Sequence, residues 1–200
     1  MNFDLSQISA LVLAGGRGQR MGGVDKGLHP LRGRPLVSHA IERLEAAVQP
    51  VRINANRNQD AYRALGYPVI GDQLSDYQGP LAGIASGLHD CPTPWMLVIP
   101  CDSPCLPRDL ATRLMQALVR DRSELAVAHD GERLQPVVAL LPRTLLPSLQ
   151  DYLAGGDRKI DRWYAQHRMN VVDFSDQADA FLNINTLQEK AALEADTPIP

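Results

Sequence analysis

At 200 residues with 44% hydrophobic content, the chain carries enough apolar material for one core, and no polar Pro/Gly-rich linker divides it. A net charge of −3 and an isoelectric point near 5.9 exclude a general nucleic-acid binder. The apolar runs fall far short of the roughly 20 residues of a membrane span, and the start lacks a secretion signal, so a cytoplasmic protein without membrane contact is expected.

Three cysteines, an odd number with no second pair or nearby histidine to complete a zinc set around Cys101 and Cys105, read as reduced thiols. A single domain is expected over 1–193, with 194–200 as a disordered tail.

Short β-rich runs alternate with amphipathic stretches along the chain. Residues 8–14 read as a buried first strand, and Pro35 opens a helix through Val48 with Leu36, Ala40, Ile41 and Leu44 on one face. A strand over 51–54, a short helix over 59–65 and a strand over 67–70 follow. Pro80 starts a helix to His89, and 95–100 is the most apolar strand, expected at the centre of the sheet. A helix from Pro107 through Val119 precedes strands at 125–128 and 137–141 around the turn Asp130-Gly131-Glu132.

Helical patterns cover 145–153 and 160–166, and strands over 171–174 and 181–184 are predicted to close the sheet. Thr186-Leu187-Gln188-Glu189 fits a capping box that opens the last helix. The alternation predicts an α/β fold of three layers, a mostly parallel central sheet with helices on both faces. Ligands in such sheets sit beyond the carboxyl ends of the strands. Asn54, Asp72, Asp102, Asn183 and Asn185 fall at or just past strand ends, which predicts a polar rim.

The stretch Leu13-Ala14-Gly15-Gly16-Arg17-Gly18-Gln19-Arg20-Met21-Gly22-Gly23-Val24-Asp25-Lys26 follows the first strand directly. Glycines admit backbone N–H groups to phosphate oxygens, and Arg20 and Lys26 offset the charge that backbone dipoles leave. An acidic chain that gathers Arg17, Arg20, Lys26, Arg32 and Arg34 near its start is built to hold a polyphosphate there. The loop is neither a dinucleotide fingerprint, because the third glycine is missing, nor a Walker loop, because Asp25 precedes Lys26 and Gly27 follows it.

Leu13-Ala14-Gly15-Gly16, Arg20-Met21-Gly22 and Asp25-Lys26 resemble the signature of nucleotidyltransferases that activate small molecules with a nucleoside triphosphate. With Asn54-Ala55-Asn56-Arg57, Asp72, Gly79-Pro80-Leu81-Ala82-Gly83, Pro100-Cys101-Asp102-Ser103-Pro104 and Asn183-Ile184-Asn185-Thr186, the order and spacing are similar to the molybdenum cofactor guanylyltransferases. The likeness runs over about 8–193 and departs at Gly18, where relatives often carry a side chain.

It implies a Rossmann-like nucleotidyltransferase fold and transfer of GMP from GTP to the terminal phosphate of molybdenum-molybdopterin, with release of pyrophosphate. It also implies nucleotide binding by the backbone of Leu13, Ala14 and Gly15 with Lys26, Asn54, Asp72 and Asp102, and a magnesium ion on Asp102. Manganese is the substitute expected for that ion. Implied partners are GTP, molybdenum-molybdopterin and a molybdoenzyme or its chaperone that receives the product; a monomer is expected.

Phosphate attack on phosphate meets a largely electrostatic barrier, so cations and positioning matter more than a base. Arg20, Lys26 and Asp102 are therefore the expected catalytic residues. These residues have plainer alternatives: the glycine loop with Arg20 and Lys26 as a flexible surface turn with solvated side chains, Asp102 as a turn or helix cap, Asp72 as turn chemistry beside Gly71, and Asn183 and Asn185 as structural groups sharing one face of a strand. Arg158 and Lys159, with Asn183 and Asn185, are candidates for the cofactor-phosphate side; solvated loops are the alternative for the two cations. A related transferase using CTP or a sugar-phosphate acceptor, or a non-catalytic nucleotide sensor, remains open at this stage. Ala14-Gly15-Gly16 differs from the Ala-Ala-Gly of cytidylyl relatives.

Overall fold

The computed structural model describes residues 3–14, 25–73 and 79–195. Its elements in chain order begin with β1 (Ile8–Leu13), β2 (Pro30–Leu31), β3 (Arg34–Pro35), α1 (Leu36–Glu42), β4 (Val51–Asn54), α2 (Gln59–Arg63), β5 (Val69–Ile70) and α3 (Pro80–His89). They continue with β6 (Trp95–Pro100), α4 (Leu110–Asp121), β7 (Leu125–His129), β8 (Leu134–Pro142), α5 (Leu146–Ala154), α6 (Ile160–Tyr164), β9 (Met169–Asp173) and α7 (Leu187–Ala195).

The main sheet has seven strands in the order β5-β4-β1-β6-β8-β7-β9. Only β8 runs against the others: it is antiparallel to β6 and β7, while β1 is parallel to β4 and β6, and β7 to β9. β1 is buried on both faces, which is why its sequence is an almost unbroken apolar run rather than an alternation. Ile8, Ala10 and Val12 join a core with Val37 and Ile41 of α1 and Leu110 and Leu114 of α4. Leu11 points the other way, into a core with Leu81, Ile84 and Leu88 of α3, Leu149 of α5 and Trp163 of α6. Helices thus cover both faces, and the three-layer architecture stands as expected.

β1 hands on to β4 on one side and the chain later returns through β6 on the other. That reversal opens a crevice past the carboxyl ends of β1, β4 and β6. β8 is irregular beside it. The β7–β8 register shifts after Val127, and pairing of β6 with β8 reaches only from Trp95↔Pro142 to Val98↔Ala139. Pro136 lies in this stretch and has no N–H for the ladder, so the strand diverges there and Val137 faces the crevice.

Several predicted boundaries move for identifiable reasons. α1 stops at Glu42 instead of running through Val48, because Glu45 turns away to accept hydrogen bonds from Ala111 N at 2.8 Å and Thr112 N at 3.1 Å. That carboxylate caps the start of α4, which begins at Leu110 rather than Pro107.

Residues 181–184 are not a strand. Ser175–Phe181 forms 3₁₀ turns, Phe181 packs edge-on to Phe174 at 5.3 Å, and Leu182 is exposed. The segment is instead tied down by Ile184, whose N–H donates to Asp102 O at 3.0 Å and whose side chain packs with Leu31 and Leu36.

β2 and β3 form a small hairpin absent from the sequence reading; Arg32 and Gly33 both have positive φ, as a tight two-residue turn requires. The capping box forms as read: Thr186 N donates to Glu189 Oε2 at 2.8 Å, and Glu189 N to Thr186 Oγ1 at 3.1 Å. α7 extends through Ala195, and Glu194 accepts from Arg32 N at 3.0 Å, so the first two residues of the expected tail belong to the helix. Residues 196–200 lie outside the described set.

Candidate active site

Parallel neighbours align their carboxyl ends, so the last residues of β1, β4 and β6 arrive side by side. Leu13 stands opposite Asn54 on one side and Pro100 on the other, and Ala14 N donates to Asn54 O at 2.9 Å. Cys101 N donates to Leu13 O at 3.1 Å, which delivers Asp102 to the same rim. A cavity of about 440 Å³ opens there, lined by Leu13, Ala14, Lys26, Asn54, Asp72 and Asp102 together with Asn56, Gly79, Val137 and Asn183. Each expected nucleotide-binding residue that the structure describes is in this wall; Gly15 and Arg20 lie outside the described residues.

One corner of the cavity is cationic and acidic at once. The Lys26 ammonium forms an ion pair with Asp102 and also donates to Asn185 Oδ1 at 2.7 Å. Burial and the adjacent Asp102 push the pKa of the neighbouring Cys101 thiol up, which disfavours its thiolate. Asn185 Nδ2 reaches Asn183 O at 3.4 Å, and Asn183 Oδ1 accepts from Ser103 Oγ at 2.6 Å. Both asparagines therefore stand at the site, but on an irregular segment and not on one face of a strand.

The opposite wall is an amide-carboxylate clamp. Asp72 accepts from Asn54 Nδ2 at 2.9 Å and from Asn56 Nδ2 at 2.7 Å, while Asp72 N donates to Asn56 Oδ1 at 2.7 Å. The reciprocal pair fixes which way the Asn56 amide faces. Asn54 also needs α3 close by, and Gly83 provides the clearance: a Cβ there would lie 2.4 Å from Asn54 Oδ1. α3 begins at the cavity wall with Gly79, whose φ of +77° suits glycine, and with Pro80 in the first turn. Asn56 and Ser103 were not singled out in the sequence; both lie inside the motifs that drew attention to their neighbours.

Arg158 and Lys159 do not line this cavity. Arg158 Nη1 donates to Leu153 O at 2.7 Å and Asp157 O at 2.6 Å, and the residue lines a second cavity of about 310 Å³ with Gln73, Ser86 and Gln150. Gln73 directly follows Asp72, so the two cavities share a wall segment. Lys159 O accepts from the Tyr152 hydroxyl at 2.8 Å.

Among the described residues no group of three or more His, Cys, Asp and Glu side chains converges as a metal cage. One carboxylate beside a polyphosphate pocket suits a small hard cation that keeps waters and phosphate oxygens as its other ligands. Asp102 fits that requirement.

The model of the MobA-like NTP transferase domain matches residues 10–171. The chain belongs to that family. A protein of Shewanella halifaxensis named molybdenum cofactor guanylyltransferase is 50% identical over 188 residues, covering 94% of each chain. One of the same name from an Acidovorax species is 52% identical over 205 residues, covering 96% of this chain and 97% of that one.

Among solved structures, the molybdopterin-guanine dinucleotide biosynthesis protein A of Archaeoglobus fulgidus superposes with a TM-score of 0.74 at 19% identity, over 93% of this chain and 96% of that one. The 4-diphosphocytidyl-2C-methyl-D-erythritol synthase of Anaerococcus prevotii reaches 0.74 at 12% identity over 98% of each. At such identities these likenesses speak for the fold, a nucleotidyltransferase three-layer sandwich.

Proposed function

We propose that this chain transfers GMP from GTP to the terminal phosphate of molybdenum-molybdopterin, forming the guanine dinucleotide cofactor and pyrophosphate. The convergence of Lys26, Asp102 and Asn185 across the cavity from the Asn54–Asp72–Asn56 clamp carries the reading. The name borne by relatives half identical over nearly the whole chain supplies the acceptor and the base.

An oxygen of the acceptor's terminal phosphate attacks Pα of GTP, and the bond from Pα to the β-phosphate oxygen breaks. That oxygen is already anionic at neutral pH, so no general base is needed. Lys26 and Arg20 bind the triphosphate and offset the charge that builds on the leaving pyrophosphate. Asn54 and Asp72, with the backbone of Leu13, Ala14 and Gly15, bind and orient the nucleotide. Asp102 would hold magnesium, with manganese as substitute, and the ion would neutralise phosphate charge when bound. Asn183 and Asn185, with Arg158 in the wall of the second cavity and Lys159 next to it in the chain, form the proposed cofactor-phosphate side.

No described helix is long and apolar enough to cross a membrane. Action as a cytoplasmic monomer, with hand-off to a molybdoenzyme or its chaperone, completes the proposal. Incubation with GTP, magnesium and molybdenum-molybdopterin, followed for pyrophosphate and dinucleotide, tests it. Thermal shifts with GTP, CTP, UTP and ATP test the base, with GTP expected to give the largest. A larger shift with CTP, or no product from GTP, overturns the assignment.

A further inference from the structure

Lys26 emerges from a single 3₁₀ turn, Lys26–Leu28, closed by Leu28 N donating to Asp25 O at 3.1 Å. One such turn has too few hydrogen bonds to hold a long side chain on course. Its anchorage lies behind it. The buried carboxylate of Asp25 accepts from the Tyr62 hydroxyl at 2.5 Å and from Asn58 Nδ2 at 3.2 Å. Tyr62, on α2, is wholly buried, and that burial, helped by Cys101 and Asp25, keeps its hydroxyl protonated and able to donate.

On the other side of Lys26 the same phenol sets a steric limit. A Cβ on Gly27 would lie 2.5 Å from the Tyr62 hydroxyl oxygen and 3.2 Å from Cys101 Sγ. Cys101, whose sulfur also borders that position, is the residue before Asp102, the ion-pair partner of Lys26.

We propose that Tyr62 is a positioning residue for Lys26, acting through Asp25 and by contact with Gly27. A phenylalanine would fill the same space, so the hydroxyl matters for what it bonds. Without it a buried carboxylate retains Asn58 as its side-chain donor among the described residues, and relief comes by moving Asp25 toward water, which carries Lys26 with it. The inference rests on the proposed task of Lys26 at the triphosphate and extends it to a residue on a helix that does not line the cavity.

Calorimetric GTP affinity is measured for wild type, Tyr62→Phe, Lys26→Ala and the double variant, with circular dichroism to confirm folding. Tyr62→Phe is expected to weaken GTP binding roughly ten-fold, in line with the cost of small misplacements in such sites. In the Lys26→Ala background the same change is expected to alter affinity by less than about two-fold, because residues acting as one unit are non-additive.

Gly27→Ala, which pushes the turn off the phenol from the other side, is expected to show the same pattern and serves if Tyr62→Phe does not fold. Wild-type affinity in both variants, or an equal loss with and without Lys26, overturns the proposal. Absence of turnover in the wild type would instead overturn the guanylyltransferase reading. The affinity cycle still decides the role of Tyr62 in that case.

Discussion

Lys26 and Asp102, 76 positions apart, meet as an ion pair in the wall of the cavity past the carboxyl ends of β1, β4 and β6, and Asn185 accepts a second hydrogen bond from the same ammonium at 2.7 Å. The lysine therefore has two oxygen partners waiting before any phosphate arrives. In the proposed reaction the triphosphate of GTP would compete for it with more charge than either partner offers.

Removing the carboxylate separates binding from turnover. Asp102→Asn is expected to lower pyrophosphate release by about 10²–10³ fold, the usual cost of losing a charge-handling group. Binding of GTP without divalent metal is expected to hold or tighten, since the variant removes a negative charge from the phosphate side and frees Lys26. Thermal shift with and without magnesium checks this; weaker metal-free binding in the variant contradicts the assignment.

Asn56 is the less obvious half of the Asp72 clamp. Asn56→Ala deletes the 2.7 Å donor to the carboxylate and the 2.7 Å acceptor of Asp72 N. Two lost hydrogen bonds, one to a charged group, are worth about 1–3 kcal/mol. The expected result is a KM for GTP raised about ten-fold or more with kcat changed far less. Steady-state kinetics at saturating acceptor measure the split.

Two glycines one turn apart on α3 separate site from core. A Cβ at Gly83 meets Asn54 Oδ1 at 2.4 Å, whereas one at Gly87 meets Leu11 Cδ2 at 2.5 Å. Both alanine variants are expected to lose about 1–3 kcal/mol of stability by overpacking. Only Gly83→Ala is expected to weaken GTP binding as well, because it displaces a nucleotide-side amide. Chemical denaturation and GTP titration on both proteins make the comparison.

Alkaline pH tests the two buried phenols. Burial raises the pKa of both Tyr62 and Tyr164 above the ordinary 10.0, so each stays neutral in the folded chain while it ionises in the unfolded one. Above that pH the unfolded state binds fewer protons than the native state, and stability falls as pH rises. Tyr164→Phe removes one such group and a 2.9 Å bond to Pro136 O. It is expected to be less stable near neutrality and to lose stability less steeply above pH 10 than wild type, as pH-dependent melting curves will show.

Much of this was legible because local chemistry wrote it. The run through Ile8–Leu13 is apolar at nearly every position because both faces are covered, and the central place of Trp95–Pro100 follows from the same cause. The chain from Thr186 to Glu189 forms its capping box because the partners are three residues apart. Residues 181–184 misled for the opposite reason. Phe181 and Ile184 are apolar because they dock on Phe174 and on Leu31 and Leu36, and docking leaves the same residue types as strand pairing. Nor did Glu45 announce that it would cap a helix 66 residues away.

The sequence by itself determined the layered α/β frame and the rim with Lys26, Asn54, Asp72 and Asp102 on it, since periodic burial and strand-end placement are encoded within a few neighbouring positions. Only the tertiary structure decided partnership: that Lys26 pairs with Asp102 and Asn185, that Asn56 grips Asp72, and that Tyr62 stands behind Asp25. Hydrogen bonds between distant residues depend on how strands are ordered and how closely a helix packs, and neither distance has a signature in the chain before it folds.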